Sequence, residues 1–186
     1  MKSSASSTRR AGLMPVALLL AGMFAFAGCS TPTQPAAMVV APQAVLPGSS
    51  GTVAVTVSGG DETSATGTSQ ISDEDFRQAL EQSIRDSRVF AGIEERSDAR
   101  YQLDAHIGML SQPMMGFSMT VSIEVNYRIT DLREGTVVFE ENIDTEHTTS
   151  AGAAFAAVTR IRMATEGAAR ENIAQFLEAV SAAGLD

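Results

Sequence analysis

The chain has 186 residues, of which 22 are acidic and 13 basic, so its formal net charge is −9 at pH 7. All of the acidic residues follow position 28, where only ten arginines oppose them. This balance argues against a nucleic-acid partner and against electrostatic docking on anionic lipid. The single cysteine, Cys29, excludes a disulfide within the chain.

The first 28 residues have the pattern of a secretory signal peptide. Three basic residues within positions 2–10 precede an apolar run over 13–27, which is shorter than the ~20 residues that span a bilayer. The following Gly28-Cys29 closes the sequence Phe-Ala-Gly-Cys, which resembles the lipobox of bacterial lipoproteins. The alternative is an ordinary secretory signal in which the cysteine stands by chance.

The lipobox resemblance implies a covalent modification and a location. It implies cleavage after Gly28, a diacylglycerol on the sulfur of Cys29, and a further acyl chain such as palmitate on its amino group. Ser30 stands where an aspartate would mark retention in the inner membrane, so we expect the outer membrane, facing the periplasm. Beyond this covalent lipid, no cofactor is expected.

The segment 29–50 follows as a lipidated cysteine and a proline-rich tether. Four prolines within 30–50 favour extended chain, which at ~3 Å per residue reaches ~60 Å from the bilayer. A short edge strand over 38–40 is the alternative, and it would shorten that reach. Residues 51–186 are then expected to form a single α+β domain in the periplasm.

The domain is predicted to begin with a strand over 51–57, followed by a long polar loop over 59–70. A helix then starts at the N-cap Ser72 and ends near Arg88. Its buried stripe consists of apolar and small residues, namely Phe76, Ala79, Leu80, Ser83 and Ile84.

Three strands with period-2 alternation are predicted over 101–109, 117–130 and 136–145, with a turn at 131–135. Their inward side is predicted to include Met109 and Val137 near strand ends. The alternation indicates a sheet with one packed face and one polar face.

A last helix is predicted over 152–182, with Phe155 and Val158 at the start of its buried stripe. Gly167 in its interior indicates close approach to the sheet, or a kink. The order is therefore β-α-β-β-β-α, a four-stranded, mostly antiparallel sheet with two helices on one face.

No set of residues points to catalysis or to a metal. His106 and His147 lie far apart in sequence and lack the converging ligands that a metal site needs. The acidic residues of the predicted sheet face do not have the spacing of a calcium loop. We therefore expect a protein that is not an enzyme and holds no metal.

One predicted hairpin tip is unusually apolar. It carries Pro113, Met114, Met115 and Phe117, where turns normally carry polar residues. Methionine adapts well to binding surfaces, so the tip is a candidate docking site for a protein partner or a lipid. The alternative is that these residues fold beneath the end of a neighbouring helix.

A row of charges also runs along the last helix. Arg162, Glu166 and Arg170 follow each other at a spacing of four residues, which places them on one side of the helix. Arg162 lies within the apolar stripe. It is either a long side chain that reaches out to solvent or half of a partly buried ion pair that fixes the helix register.

The lipobox, the proline-rich tether and the element order together resemble small outer-membrane lipoproteins of Gram-negative bacteria. The element order over 53–180 is similar to that of LptE, the lipoprotein of lipopolysaccharide assembly, and of auxiliary lipoproteins of lipid-transport ABC systems. No function is carried over from these proteins. The first hypothesis is a non-enzymatic accessory lipoprotein that binds an envelope partner through the polar sheet face or the methionine-rich tip. The alternative is a carrier of lipid or lipopolysaccharide, which would need a continuous apolar cavity between sheet and helices. An enzyme is the third hypothesis.

Overall fold

The computed structural model describes residues 31–41, 48–64, 68–113 and 116–185. The elements follow one another in this order: α1 (Pro35–Met38), β1 (Thr52–Ser58), α2 (Asp73–Ser87), β2 (Gly92–Ile93), β3 (Tyr101–Ser111), β4 (Met119–Asp131), β5 (Thr136–Thr149) and α3 (Ala157–Ala183). Among these helices, none has both the length and the apolar character that crossing a bilayer requires.

The strands form one mixed sheet in the order β2-β1-β3-β4-β5. β1 is parallel to both β2 and β3, whereas the β3–β4 and β4–β5 pairs are antiparallel. The α+β class is confirmed, but the prediction of four strands and two helices omitted β2 and α1. Both are too short, at two and four residues, to leave a periodic pattern in the sequence.

α2 begins and ends where the sequence predicts. Ser72 is the N-cap, and its side chain accepts a hydrogen bond of 3.1 Å from the backbone N–H of Asp75. Arg88 ends the helix in the left-handed conformation at φ 60°, with its N–H bonded to the carbonyl of Ile84. These local signals act over one turn of chain, which explains why they can be interpreted without tertiary information.

The core lies between one face of the sheet and the helices. α2 packs on β1, and α3 packs on β4 and β5. At its centre the ring of Tyr127 stacks on Phe176 with 4.2 Å between centroids, and its hydroxyl donates to Asn172 over 2.8 Å. Burial raises the pKa of Tyr127 well above its usual value.

Two β-bulges turn predicted inward residues outward. Gly108 is the extra residue between Ile107, opposite Val125, and Met109, opposite Glu124. A residue inserted in this way reverses the alternation beyond it, so Met109 lies on the polar face and is 62% exposed. A second bulge at Val138 places Val137, 50% exposed, on that face too.

α3 starts later than predicted, at Ala157. Phe155 therefore precedes the helix and Val158 stands on its exposed first turn, so neither belongs to the buried stripe. The close approach predicted at Gly167 is confirmed. A Cβ atom there would lie 2.3 Å from Cδ2 of His147 on β5.

Candidate functional site

The N-terminal segment 31–41 packs in the groove between α2 and α3. Thr33 and Met38 are buried, and α1 contacts both long helices. This differs from the expected extended tether, and 38–40 do not form an edge strand. Pro35 suits the first turn of α1, and the side chain of Met38 gains a fully buried position.

Charged side chains of α3 hold this segment by its backbone, and we call the contacts the latch. The N–H of Gln34 donates to Oε1 of Glu166 over 3.0 Å, and Arg170 donates to the carbonyl of Ala37 over 2.9 Å. Arg162 Nε lies 3.8 Å from Glu166 Oε1, so the two form a largely buried ion pair without a direct hydrogen bond. The row of charges predicted on α3 thus binds a segment that lies 132 residues earlier in the sequence. The four-residue spacing of the row gave no indication of this role.

The environment of Glu166 has an electrostatic cost. Burial raises the pKa of its carboxyl group above the usual value, against the opposing effects of the Gln34 N–H and of the two arginines. Burial therefore outweighs the stabilisation that the Gln34 N–H and the two arginines give to the carboxylate.

The start of the segment lies at the end of the sheet where the β3–β4 hairpin turns. The Ser69 hydroxyl donates to the carbonyl of Thr31 over 2.7 Å. Gln112, at the base of the hairpin, donates to the Ser69 carbonyl over 2.5 Å and to the Thr165 hydroxyl over 3.1 Å. We call this region, comprising 59–64, 68–72, 112–113, 116–118 and 149–158, the hairpin end.

The hairpin end exposes large apolar side chains. Phe117 is 89% exposed and Phe155 is fully exposed, and Val158, three residues after Phe155, is half exposed. Arg160 donates to the carbonyls of Ala154 and Phe155 over 2.7 and 3.1 Å, which holds the loop before α3.

The predicted tip residues can now be placed in part. Phe117 is exposed rather than folded beneath a helix end, and Pro113 is half-buried. Met114 and Met115 lie outside the described residues. The sequence did not predict that Phe155 is exposed, because its spacing from Val158 imitates that of a buried helical stripe.

The polar face of the sheet carries cross-strand hydrogen bonds. They join Thr120 to Thr148, Ser122 to Glu146, Glu124 to Asn142 and Arg128 to Glu140, over 2.8 to 3.0 Å. This face carries the acidic side chains of Asp104, Glu124, Glu140, Asp144 and Glu146 beside the arginine Arg128, so it has a negative potential.

The two histidines lie on opposite faces of the sheet. His106 is on the polar face, opposite Asn126, with Nδ1 3.1 Å from the Ser58 hydroxyl. The place of His147 near a strand end predicts a surface residue, but the structure half-buries it against α3, where Nδ1 lies 2.7 Å from a carboxylate oxygen of Glu171. Within the described ranges, His, Cys, Asp and Glu side chains nowhere form a group of three placed to bind a metal.

Surface clefts of about 610 and 550 Å³ are lined mainly by polar and charged residues. The first lies at the opposite end of the sheet, near Arg100 and Arg133, and the second near Arg77 and Glu81 of α2. A lipid carrier would need its cavity between sheet and helices, where core side chains such as Phe176 are in contact.

Comparisons with known proteins show the fold. No family model matches the chain, and no curated protein matches its sequence. Protein XCC0632 from Xanthomonas campestris, of the DUF330 family, is similar with a TM-score of 0.64 and 16% identity, over 83% of this chain and 96% of that one. Hypothetical protein CT253 from Chlamydia trachomatis has a TM-score of 0.52 and 15% identity, over 72% and 99%.

A minor lipoprotein from Acinetobacter baumannii is more distant, with a TM-score of 0.46 and 9% identity over 73% of this chain and 94% of that one. At such identities the first two similarities establish a shared fold alone, and the third carries no argument. The resemblance to LptE stays a prediction.

Proposed function

We propose that the chain is a lipid-anchored lipoprotein of the cell envelope. In this proposal it is cleaved after Gly28, acylated on Cys29 and held at the periplasmic face of the outer membrane. The observation that carries the proposal is the sequence Phe-Ala-Gly-Cys at 26–29, which follows a basic start and a short apolar run. Thr31, two residues after Cys29, is bound to the folded domain through Ser69. A lipid on Cys29 would therefore hold the domain at one defined end.

The proposed role is that of a non-enzymatic accessory subunit that binds an envelope protein. The support is the polar face of the sheet, which the helices leave uncovered and which carries five acidic side chains: Asp104, Glu124, Glu140, Asp144 and Glu146. A negative face of this kind attracts a cationic partner surface and speeds their association.

The lipid attachment is tested by mass spectrometry of the full chain produced in a Gram-negative host. We expect a mature N-terminus at residue 29 with added diacylglycerol and acyl mass, and extraction from membranes by detergent but not by salt. Cys29→Ser should leave an uncleaved, unacylated precursor. As a matched control, Ser30→Asp should keep the acyl mass but move the protein to the inner membrane. A wild-type chain without acyl mass would refute the proposal.

The partner surface is tested by photo-crosslinking in intact cells. A crosslinking residue at Asp144 on the polar face should capture one defined envelope protein, whereas the same residue at Gln82 on the exposed side of α2 should not. Equal capture from both positions would contradict the assignment of the polar face.

A further inference from the structure

We propose that the hairpin end is a membrane-contact surface, in which Phe117 and Phe155 enter the interface of the bilayer that carries the lipid of Cys29. This inference rests on the proposed lipid attachment. In it, the exposed apolar end contacts a zwitterionic phospholipid surface rather than a protein.

The length of chain before the described residues sets the first constraint. Consecutive Cα atoms lie 3.8 Å apart, so Cys29 lies within ~8 Å of Thr31. Thr31 is bonded to Ser69, and Ser69 is bonded to Gln112 at the base of the hairpin. An acylated Cys29 therefore keeps the hairpin end close to the bilayer, instead of the ~60 Å that an extended tether would allow.

The exposed aromatic residues lie at the same end. Met119 of β4 pairs with Thr149 of β5. Phe117 lies two residues before this pair, and Phe155 lies six residues after it. Two fully solvated phenylalanine rings lose contact with water when they enter a membrane interface, which is where amphipathic proteins place such side chains.

The charge of this end selects the kind of lipid. Asp61 and Glu62 lie in the loop after β1, and α2 starts there with Asp73, Glu74 and Asp75. None of the residues that define the hairpin end is a lysine or an arginine, so this described part of the chain lacks the basic cluster that binds anionic headgroups. Headgroups without net charge, such as phosphatidylethanolamine and phosphatidylcholine, fit this surface.

The chain contains no tryptophan, so a single substitution reports on one position. We would replace Phe117→Trp or Phe155→Trp, and Val137→Trp as the matched control. Val137 is also exposed and apolar but lies twelve residues down β5 from Thr149, ~40 Å away. The acylated full-length products are purified and inserted into phosphatidylcholine–phosphatidylethanolamine vesicles with and without lipid brominated in its acyl chains.

Tryptophan at 117 and at 155 should show blue-shifted emission and at least threefold stronger quenching by brominated lipid than tryptophan at 137. Replacing part of the lipid with anionic phosphatidylglycerol should weaken the quenching at 117 and 155. Equal quenching at all three positions, or emission typical of water at 117 and 155, would overturn the inference and leave the end free for a protein partner.

The failure of lipid attachment can be told apart from the failure of the contact surface. Mass spectrometry of each purified chain measures acylation directly. If the acyl mass is missing, the thiol of Cys29 is coupled to a maleimide-bearing phosphatidylethanolamine in the same vesicles. Quenching at 117 and 155 would then still support the contact surface, and its absence would refute it.

Discussion

Glu166 offers the sharpest test of how the N-terminal segment is held. Replacing it with alanine removes the acceptor of the Gln34 N–H, whereas Glu166→Gln keeps an oxygen in the same place and removes only the charge. Because burial raises the pKa of this carboxyl group, the folded protein gains little from its ionised form. The two variants therefore separate the hydrogen bond from the charge.

The expected magnitude follows from the contacts. A hydrogen bond to a charged group contributes about 1.5–3 kcal/mol, and relief of the buried carboxylate together with the helix propensity of alanine offsets part of this. We expect Glu166→Ala to lower the free energy of unfolding by ~1–2 kcal/mol, a fall in Tm of ~2–8 °C for a domain of this size. Glu166→Gln should change it by less than ~1 kcal/mol.

The pH dependence has a definite sign. Since the folded state raises the pKa of Glu166 above 4.5, the stability that it contributes is complete below pH 4.5. That stability is lost as the pH rises through the raised value. As the pH rises from 4.5 through the raised pKa, the free energy of unfolding of Glu166→Gln should therefore increase relative to that of wild type.

The assay combines urea unfolding, followed by circular dichroism, with elastase cleavage at Ala36 and Ala37 in the chain that starts at residue 29. Glu166→Ala should speed this cleavage severalfold, and Glu166→Gln should not. If both variants lose the same stability, the charge rather than the acceptor holds the segment. If neither changes cleavage, the latch does not hold it at all.

Three further predictions concern stability, each measured by urea denaturation. Gly167→Ala should lower the free energy of unfolding by ~1–3 kcal/mol, because the added Cβ would clash with the His147 ring. In a His147→Ala background, the same substitution should raise the free energy of unfolding by up to ~1 kcal/mol. Additive effects of the two substitutions would contradict the clash. Met38→Ala should lower the free energy of unfolding by ~2–5 kcal/mol, because it leaves a cavity at a fully buried site. A loss below ~1 kcal/mol would show that the surrounding side chains fill this cavity. The backbone N–H groups of Arg133 and Glu134, followed by the Arg100 side chain, lower the pKa of Asp131 against the effect of burial. The stability that Asp131 contributes is therefore present above pH 3.8 and lost as the pH falls through the lowered value. The difference in the free energy of unfolding between wild type and Asp131→Asn should vanish below the lowered pKa. A difference that stays constant with pH would refute this prediction.

The parts of the fold that were predicted correctly depend on local chemistry. The cap at Ser72 and the inward residues of β4 follow from interactions within one turn of helix or from strict alternation along one strand. The need for a small residue at Gly167 was also visible, because glycine in a helix interior has a cost that packing must offset.

The errors occurred where one inserted residue or one distant contact decides the outcome. Gly108 and Val138 reverse the facing of Met109 and Val137, and their insertion becomes visible only when the partner strand is known. Phe155 has the spacing of a helical stripe, but α3 begins two residues after it.

The candidate site divides in the same way. From the sequence alone, the lipobox pattern at Cys29 and the apolar tip around Phe117 could be identified as two separate features. Only the tertiary structure brings the chain after Cys29 to the same end as Phe117 and Phe155, through hydrogen bonds between residues 38 to 132 positions apart. Local patterns determine helices, strands and processing signals, because their energies arise between near neighbours. The orientation of the domain relative to its predicted anchor depends on long-range contacts, which no local pattern records.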